Sequence, residues 1–166
     1  FDAAVAILSV TASALGKVTG TARMIVGGAL GIAAANTAKL NAVGDAHEAS
    51  SGAGVAVAHL SLGAGSRLSQ LSFIAELLHD HPHAILMGDF NCDPDRPEMQ
   101  ALYKHTRLQP PALCVPTFPS WRPQRAIDHI LTTKDLHVAN MEAFAAAYSD
   151  HLALAAEIDV PERALR

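Results

Sequence analysis

The sequence predicts an α/β (α+β) layered domain, built on a mixed sheet or on two packed sheets. Half of the 166 residues are hydrophobic and 17% are charged, which excludes wholesale disorder and provides enough apolar side chains for a core. The continuous apolar run at 84–87 is typical of a strand that is covered on both faces. Upstream of it, an alternating segment is followed by apolar residues at helical spacing.

The first third of the chain is rich in small apolar residues and carries few charges. Ala4–Val10 and Met24–Ala35 are predicted as buried strands, although the second range also suits a helix. The polar stretch Asn36–Ser51 is predicted as a loop. This part of the chain therefore contributes sheet, and the clearer patterns follow it.

From residue 54 onward the periodicity is sharper. Alternation predicts a strand that ends near His59, and a helix follows with Ser66 as its N-cap. Five residues form the apolar stripe of this helix: Leu68, Leu71, Ile74, Ala75 and Leu78. Pro97 suits the first turn of a second, shorter helix.

Three more strands are predicted after the short helix. They cover Ala126–Leu131, Leu136–Asn140 and Leu152–Ile158, and Pro161 ends the last of them. Helices and strands thus alternate at first and are followed by a run of strands, as expected for a layered domain.

The net charge and the cysteine content limit the classes of function that the sequence supports. The net charge is −4, from 12 basic and 16 acidic residues, so no global basic field indicates binding to nucleic acid. The longest apolar run, Met24–Ala35, is shorter than the about 20 residues of a membrane span. Cys92 and Cys114 form neither a disulfide framework nor a zinc knuckle. Two free thiols favour a reducing compartment, and we expect a cytoplasmic location.

A carboxylate and a carboxamide follow the apolar strand directly. Asp89 and Asn91 are two residues apart, so both side chains are able to address the same side of an extended loop. In hydrolysis, such a carboxylate orients or deprotonates water, and the amide binds a developing oxyanion. The competing interpretation is an Asx turn, a common structural use of both residues.

Histidine and aspartate also lie at three other predicted strand ends. His151 is a candidate general acid or base near neutral pH, with Asp128 as the carboxylate that fixes its tautomer. This assignment leaves Asp150 to hold a metal ion, and His59 belongs to the same site. A hard cation such as Mg²⁺ would add charge stabilisation. The structural alternative is that each histidine is a satisfied surface or core residue.

Five motifs in chain order resemble the endonuclease/exonuclease/phosphatase superfamily. They are His59-Leu60, Gly88-Asp89-Phe90-Asn91, Ser120-Trp121-Arg122-Pro123, Ile127-Asp128-His129-Ile130-Leu131 and Ser149-Asp150-His151-Leu152. The resemblance is clear over residues 59–161 and weak over 1–54. It implies one deoxyribonuclease-I-like domain across 1–166, folded as a two-sheet sandwich flanked by helices.

The same resemblance implies hydrolysis of a phosphodiester or phosphomonoester by an activated water, with Mg²⁺ or Mn²⁺ as cofactor. Asp89 is similar to the residue that activates the water, and Asn91 to its partner in holding the phosphate and the metal. His151 and His59 resemble the two catalytic histidines. Asp128 resembles the orienting carboxylate, and Asp150 a metal-site acid.

Substrate contacts are expected from the loop that contains Trp121, where the family often has an aromatic side chain. Arg122 beside it is a candidate phosphate ligand, with an exposed ion pair as the alternative. The substrate class stays open among nucleic acid, a phospholipid head group and a small phosphate ester. No obligate protein partner and no transmembrane segment are expected.

One departure from the family pattern affects the predicted activity. The family's principal metal ligands are an Asn and a Glu on its first two strands, and the only Glu before His59 is Glu48, in the predicted loop. We expect the chain to begin partway into the family's domain. The alternative is a degenerate, catalytically inactive relative that acts at most as a binding module.

Overall fold

The computed structural model describes residues 7–11, 21–26, 53–145 and 149–159. Two sheets and two helices make up this part of the chain, with elements numbered in chain order. The strands are β1 (Ile7–Thr11), β2 (Thr21–Val26), β3 (Ala53–His59), β4 (His83–Asp89), β5 (Asp128–Thr132), β6 (His137–Phe144) and β7 (Ala153–Asp159). The helices are α1 (Ala64–Leu78) and α2 (Pro97–His105).

The two sheets differ in direction and size. One has four strands in the order β1-β2-β7-β6, all paired antiparallel. The other has three strands in the order β3-β4-β5, with β3 parallel to β4 and β4 antiparallel to β5. A crossover through α1 joins the two parallel strands, as parallel pairing requires.

The three-stranded sheet is the middle layer of the described structure, because side chains alternate along its strands between two cores, one on each face. Ala56, Ala84 and Leu86 face one way and join a core with α1 and α2. Their neighbours Val57 and Ile85 face the other way, into a core shared with β6 and β7. All seven residues of β4 are buried, as predicted for a strand covered on both faces. The predicted two-sheet sandwich flanked by helices is confirmed.

The backbones of β3 and β4 approach each other closely at Gly88. Its φ angle is +138°, and a Cβ atom at this position would lie 1.9 Å from the carbonyl oxygen of Ala58. Glycine is therefore required both for the backbone conformation and for the contact. The close approach brings the ends of β3 and β4 together just before Asp89.

Helix α1 differs from the prediction at its start. It begins at Ala64, with Gly63 as an N-cap that makes no side-chain hydrogen bond, so the prediction of Ser66 as N-cap is wrong. The stripe at Leu71, Ile74 and Leu78 is buried. Leu68 was expected in the same stripe but is 46% exposed, because it lies at the edge of the helix face beside α2.

The remaining predicted elements agree within a few residues wherever the structure describes them. Helix α2 begins at Pro97 as predicted, and β5, β6 and β7 match the three later strands. Residues 7–10 and 24–26 of the first two predicted strands are strand. Residues 4–6 and 27–35, the predicted loop at 36–51 and Pro161 lie outside the described residues. Neither α1 nor α2 is long and apolar enough to cross a membrane.

Replacing Gly88 by Ala is expected to destabilise the protein, whereas Gly65→Ala is not. The Gly88→Ala methyl group would collide with backbone in a strained conformation, which we expect to lower the free energy of unfolding by about 3 kcal/mol or more. Gly65 lies in α1 with open space around its Cβ position, so Ala there is expected to add about 0.5–1 kcal/mol. Urea unfolding of both variants measures the difference, and equal stabilities would contradict the assigned role of Gly88.

Candidate active site

The strand registers align three ionisable side chains at one end of the three-stranded sheet. His59 is paired with Asp89 across the parallel strands, and Asp89 is paired with Asp128 across the antiparallel strands. Residues at matching positions point to the same face of a sheet. His59 Nε2 accordingly lies 3.4 Å from Asp89 Oδ2. Both carboxylates are buried, at 7% and 4% exposure.

His151 approaches these three aligned side chains from the other sheet. It lies just before β7, and its Nδ1 donates a hydrogen bond of 2.8 Å to Asp128 Oδ2. The ring is buried and packs against Phe118, with 4.9 Å between ring centroids. The site thus spans the ends of both sheets, and the hydrogen bond fixes the orientation of the imidazole.

Thr117 also binds Asp128, and this residue was not identified from the sequence. Its hydroxyl donates to the same Asp128 oxygen at 2.5 Å, and the residue is fully buried. Its carbonyl accepts the backbone N–H of Leu152, next to His151. Thr117 therefore holds both members of the Asp128–His151 pair. A single threonine in a loop gives no pattern that would have indicated this role.

Proton affinities in the site are shifted by burial and by neighbouring charges. Burial raises the pKa of Asp89, and the nearby Asp128 charge raises it further, against smaller lowering effects from Asn91 and the two histidines. The hydrogen bond to Asp128 raises the pKa of His151, although burial opposes this. The site therefore contains a carboxylate with increased basicity and a histidine that favours its protonated form.

Asn91 lies in a turn beside Asp89. Its φ angle is +52°, a left-handed conformation that asparagine tolerates better than most residues. Its backbone N–H donates to Asp89 Oδ1, and its side-chain Nδ2 donates to the carbonyl of Leu60, both at 2.8 Å. The Asx turn proposed as the structural alternative is therefore present, and it also fixes both side chains at the site.

The other predicted site residues surround this group without joining it. Asp150 is exposed, and its backbone carbonyl accepts the N–H of Ser120. The Ser120 hydroxyl also donates to the carbonyl of Ser149, so the loop with Trp121 is tied to the segment before His151. Trp121 is 77% exposed and Arg122 is exposed too. Both side chains face solvent on the loop that Ser120 ties to the segment before His151.

His129 and Cys92 have structural environments. Asp128 and His129 point to opposite faces as strand geometry requires, and His129 Nε2 donates to the carbonyl of Cys92 at 2.8 Å. Burial lowers the pKa of His129, which favours the neutral ring. Burial raises the pKa of the Cys92 thiol to about 11, so the thiolate nucleophile is disfavoured at neutral pH.

The donor set suits a hard divalent cation. Among the described residues, one group of potential ligands has its donor atoms within 4.8 Å of one another: Asp89, Asp128 and His151. Burial and the neighbouring Asp128 charge raise the pKa of Asp89, and a cation beside this carboxylate would offset both effects. Carboxylate oxygens are the ligands that Mg²⁺ and Mn²⁺ prefer. On these grounds the residues present fit such an ion.

Residues 11–151 of the chain match the model of the endonuclease/exonuclease/phosphatase family. This range begins well upstream of residue 59 and includes every predicted site residue. The comparison with curated proteins finds no match.

Solved structures show the same fold at low identity. A functionally unknown conserved protein from Enterococcus faecalis V583 superposes with a TM-score of 0.57 and 20% identity, over 92% of this chain and 68% of that protein. The inositol polyphosphate 5-phosphatase domain of Spsynaptojanin, in complex with inositol (1,4)-bisphosphate and calcium, gives 0.51 and 15%, over 92% and 54%. A mannosyl-6-phosphatase from Bacteroides thetaiotaomicron VPI-5482 gives 0.50 and 21%, over 64% and 51%. The chain thus spans about half the length of the two phosphatases.

Substituting Asp128 by Asn is expected to lower the pKa of His151 in the metal-free protein. A neutral amide no longer stabilises the imidazolium, which removes the largest cause of the upward shift. Protonated His151 stabilises the native state below the unfolded-state pKa of about 6.5, and this contribution is lost as the pH rises through the folded-state value. The Asn variant should therefore lose stability mainly below about pH 6.5, where the protonated His151 of the wild type makes its full contribution.

NMR titration of the His151 ring protons measures this change directly. Asp150→Asn is the matched control, because Asp150 contributes only the smallest of the charge effects on His151. We expect the control to lower the pKa less than Asp128→Asn does. Equal shifts in the two variants would contradict the assignment of Asp128 as the orienting carboxylate.

Proposed function

The chain belongs to the endonuclease/exonuclease/phosphatase family, and we propose that it hydrolyses a phosphate ester with a water activated at the site formed by His59, Asp89, Asp128 and His151. The observation that carries this proposal is the Asp128–His151 hydrogen bond beside the buried Asp89 carboxylate. The family match over residues 11–151 also supports our proposal that the chain forms one domain.

In this proposal Asp89 orients the attacking water and accepts its proton. In the metal-free protein, burial and the Asp128 charge raise the pKa of Asp89, so its carboxylate is more basic than that of an ordinary aspartate. His59 lies within 3.4 Å of the same carboxylate and directs it. Asn91, fixed by its turn, would donate or accept hydrogen bonds at the phosphoryl group.

His151 acts as the proton donor to the departing oxygen. Its Nδ1 is held by Asp128, which leaves Nε2 to face the substrate and transfer the proton. The raised pKa keeps the ring protonated at a higher pH than an ordinary histidine. Trp121 and Arg122, exposed on the tethered loop, would contact the rest of the substrate and its phosphate.

A divalent cation, Mg²⁺ or Mn²⁺, would be held by the Asp89 carboxylate of this cluster, with Asn91 and the exposed Asp150 as the further ligands that the family resemblance implies. Oδ2 of Asp128 already accepts from both Thr117 and His151, so we assign Asp128 to orientation of the histidine. When bound, the ion supplies positive charge that stabilises the phosphoryl oxygens in the transition state. The substrate is proposed at the level of a phosphate ester, whether nucleic acid, phospholipid head group or small molecule.

Phosphodiesterase activity is expected to depend on added metal. The complete protein should hydrolyse bis-p-nitrophenyl phosphate or nucleic acid with Mg²⁺ or Mn²⁺ and lose that activity in EDTA. The release of p-nitrophenolate measures the first reaction. Undiminished turnover in EDTA would contradict the proposal, and no turnover with any phosphate ester would favour the inactive binding module instead.

Replacing His151 by Ala is expected to lower kcat by about 10²-fold or more, because a positioned general acid contributes about 10²–10⁴-fold. His137→Ala is the matched control, since that side chain is 75% exposed on β6 and pairs with Asp159. The control should keep kcat. Steady-state kinetics at saturating metal measure both variants, and a decrease below threefold for His151→Ala would remove this residue from the mechanism.

A further inference from the structure

The three residues that follow β3, Leu60 to Leu62, form a short segment that we call the β3 tip. It lies between His59 of the site and the start of α1. Its backbone is held by contacts from outside the segment. Asn91 Nδ2 donates to the carbonyl of Leu60 at 2.8 Å, and the N–H of Ser61 donates to Gln70 Oε1 at 2.9 Å.

Arg67 also donates hydrogen bonds to the β3 tip. One of its terminal nitrogens donates to the carbonyls of Leu62 and Ser61, at 2.5 and 3.2 Å. Arg67 belongs to the first turns of α1 and is only 7% exposed. The two carbonyls are thereby satisfied by a buried cation, which makes strong hydrogen bonds of defined direction.

The guanidinium of Arg67 is fixed in turn by Glu98 of α2. Nε and the second terminal nitrogen both donate to Glu98 Oε1, at 2.9 and 2.6 Å. Burial of Glu98 opposes its ionisation, but its backbone hydrogen bond and Arg67 together lower its pKa, so it stays charged. The planar guanidinium therefore makes an ion pair on one side and holds backbone carbonyls on the other.

We propose that Arg67 is a positioning residue for phosphate-ester hydrolysis, acting through the β3 tip on His59 and Asn91. This inference rests on the proposed function. The hydrogen bonds from Arg67 to Glu98 join α1 to α2, and by themselves they would indicate a purely structural role. The donors to Ser61 and Leu62 hold instead the segment that continues from His59 and that Asn91 binds.

The expected consequence of losing these donors is a small displacement at the site. Leu60 also donates its N–H to the carbonyl of Asp89 at 2.8 Å, so the β3 tip is bonded to both ends of the Asp89–Asn91 turn. A shift of about 1 Å in a reacting group is enough to lower the rate about 10²-fold. Arg67 makes no contact with the reacting groups themselves and would affect kcat only through this path.

Arg67→Lys tests the proposal with the positive charge retained. Lysine keeps a partner for Glu98, but its single ammonium does not reproduce the fork that reaches both the carboxylate and two carbonyls. We expect kcat to fall about 10- to 100-fold while KM changes less than threefold. A folded Arg67→Lys protein whose kcat stays within threefold of the wild type would overturn the proposal.

The double substitution Arg67→Met with Glu98→Leu separates positioning from stability. Replacing both members of a buried ion pair by apolar residues is often neutral for stability, whereas removal of one member is not. We expect this variant to unfold at a higher temperature than Arg67→Met alone, because no unpaired carboxylate is left buried, but to show the same loss of kcat as Arg67→Lys. A wild-type kcat in this variant would contradict the positioning role.

Met141→Ala provides the control for a general loss of stability. Met141 is buried in the core between the two sheets, on β6. Its truncation should lower the melting temperature while kcat at a temperature well below unfolding stays unchanged. If kcat falls in Met141→Ala as much as in Arg67→Lys, the effect of Arg67 is merely structural.

Amide hydrogen exchange keeps this inference distinguishable from the proposed function. In Arg67→Lys we expect the Ser61 N–H and the Asn91 side-chain amide to exchange about tenfold faster or more, because the β3 tip opens locally. The amides of β6 should be unchanged. This outcome supports the positioning contacts even if the wild type cleaves no phosphate ester, and unchanged exchange at both groups would overturn them.

Discussion

The register between β4 and β5 is the constraint on which the site depends. It places Asp89 opposite Asp128 at the end of a buried sheet, where two like charges repel each other. The neighbouring contacts lower the cost of this arrangement: Thr117 and His151 donate to Asp128, while the Asn91 N–H and His59 stabilise Asp89. Burial and the remaining repulsion from Asp128 raise the pKa of Asp89, and a divalent cation beside this carboxylate would offset both effects.

The three-layer arrangement supplies the rigidity that this pairing needs. The middle sheet is packed by the helices on one face and by the four-stranded sheet on the other, so the site residues leave from strands that are buried on both sides. Gly88 allows β3 and β4 to approach within a distance that no side chain permits. On the helix side, Arg67 and Glu98 connect both helices to the segment next to His59. Packing and the geometry of the candidate site therefore depend on the same contacts.

Much of the fold follows from local patterns. The buried run at 84–87, the alternation before His59 and the Pro97 helix start were all predictable, because each depends on burial or on backbone geometry within a few residues. The start of α1 was predicted wrongly, since a capping serine was available at residue 66 and the helix begins earlier without a side-chain cap. The exposure of Leu68 also depends on how α2 packs beside α1, which helical spacing alone does not determine.

The sequence by itself determined the residue types of the site and their placement at strand ends, because motifs such as Gly88–Asn91 and Ser149–His151 are contiguous along the chain. Only the tertiary structure decided which of them meet. The sequence predicts Asp128 as the carboxylate that orients His151, but only sheet packing brings it to hydrogen-bond distance of Nδ1 and leaves Asp150 exposed. Thr117 and Arg67 belong to no motif that was identified from the sequence. Thr117 binds a side chain 11 residues away, and Arg67 binds one 31 residues away. Arg67 also binds backbone carbonyls, which have no sequence signature.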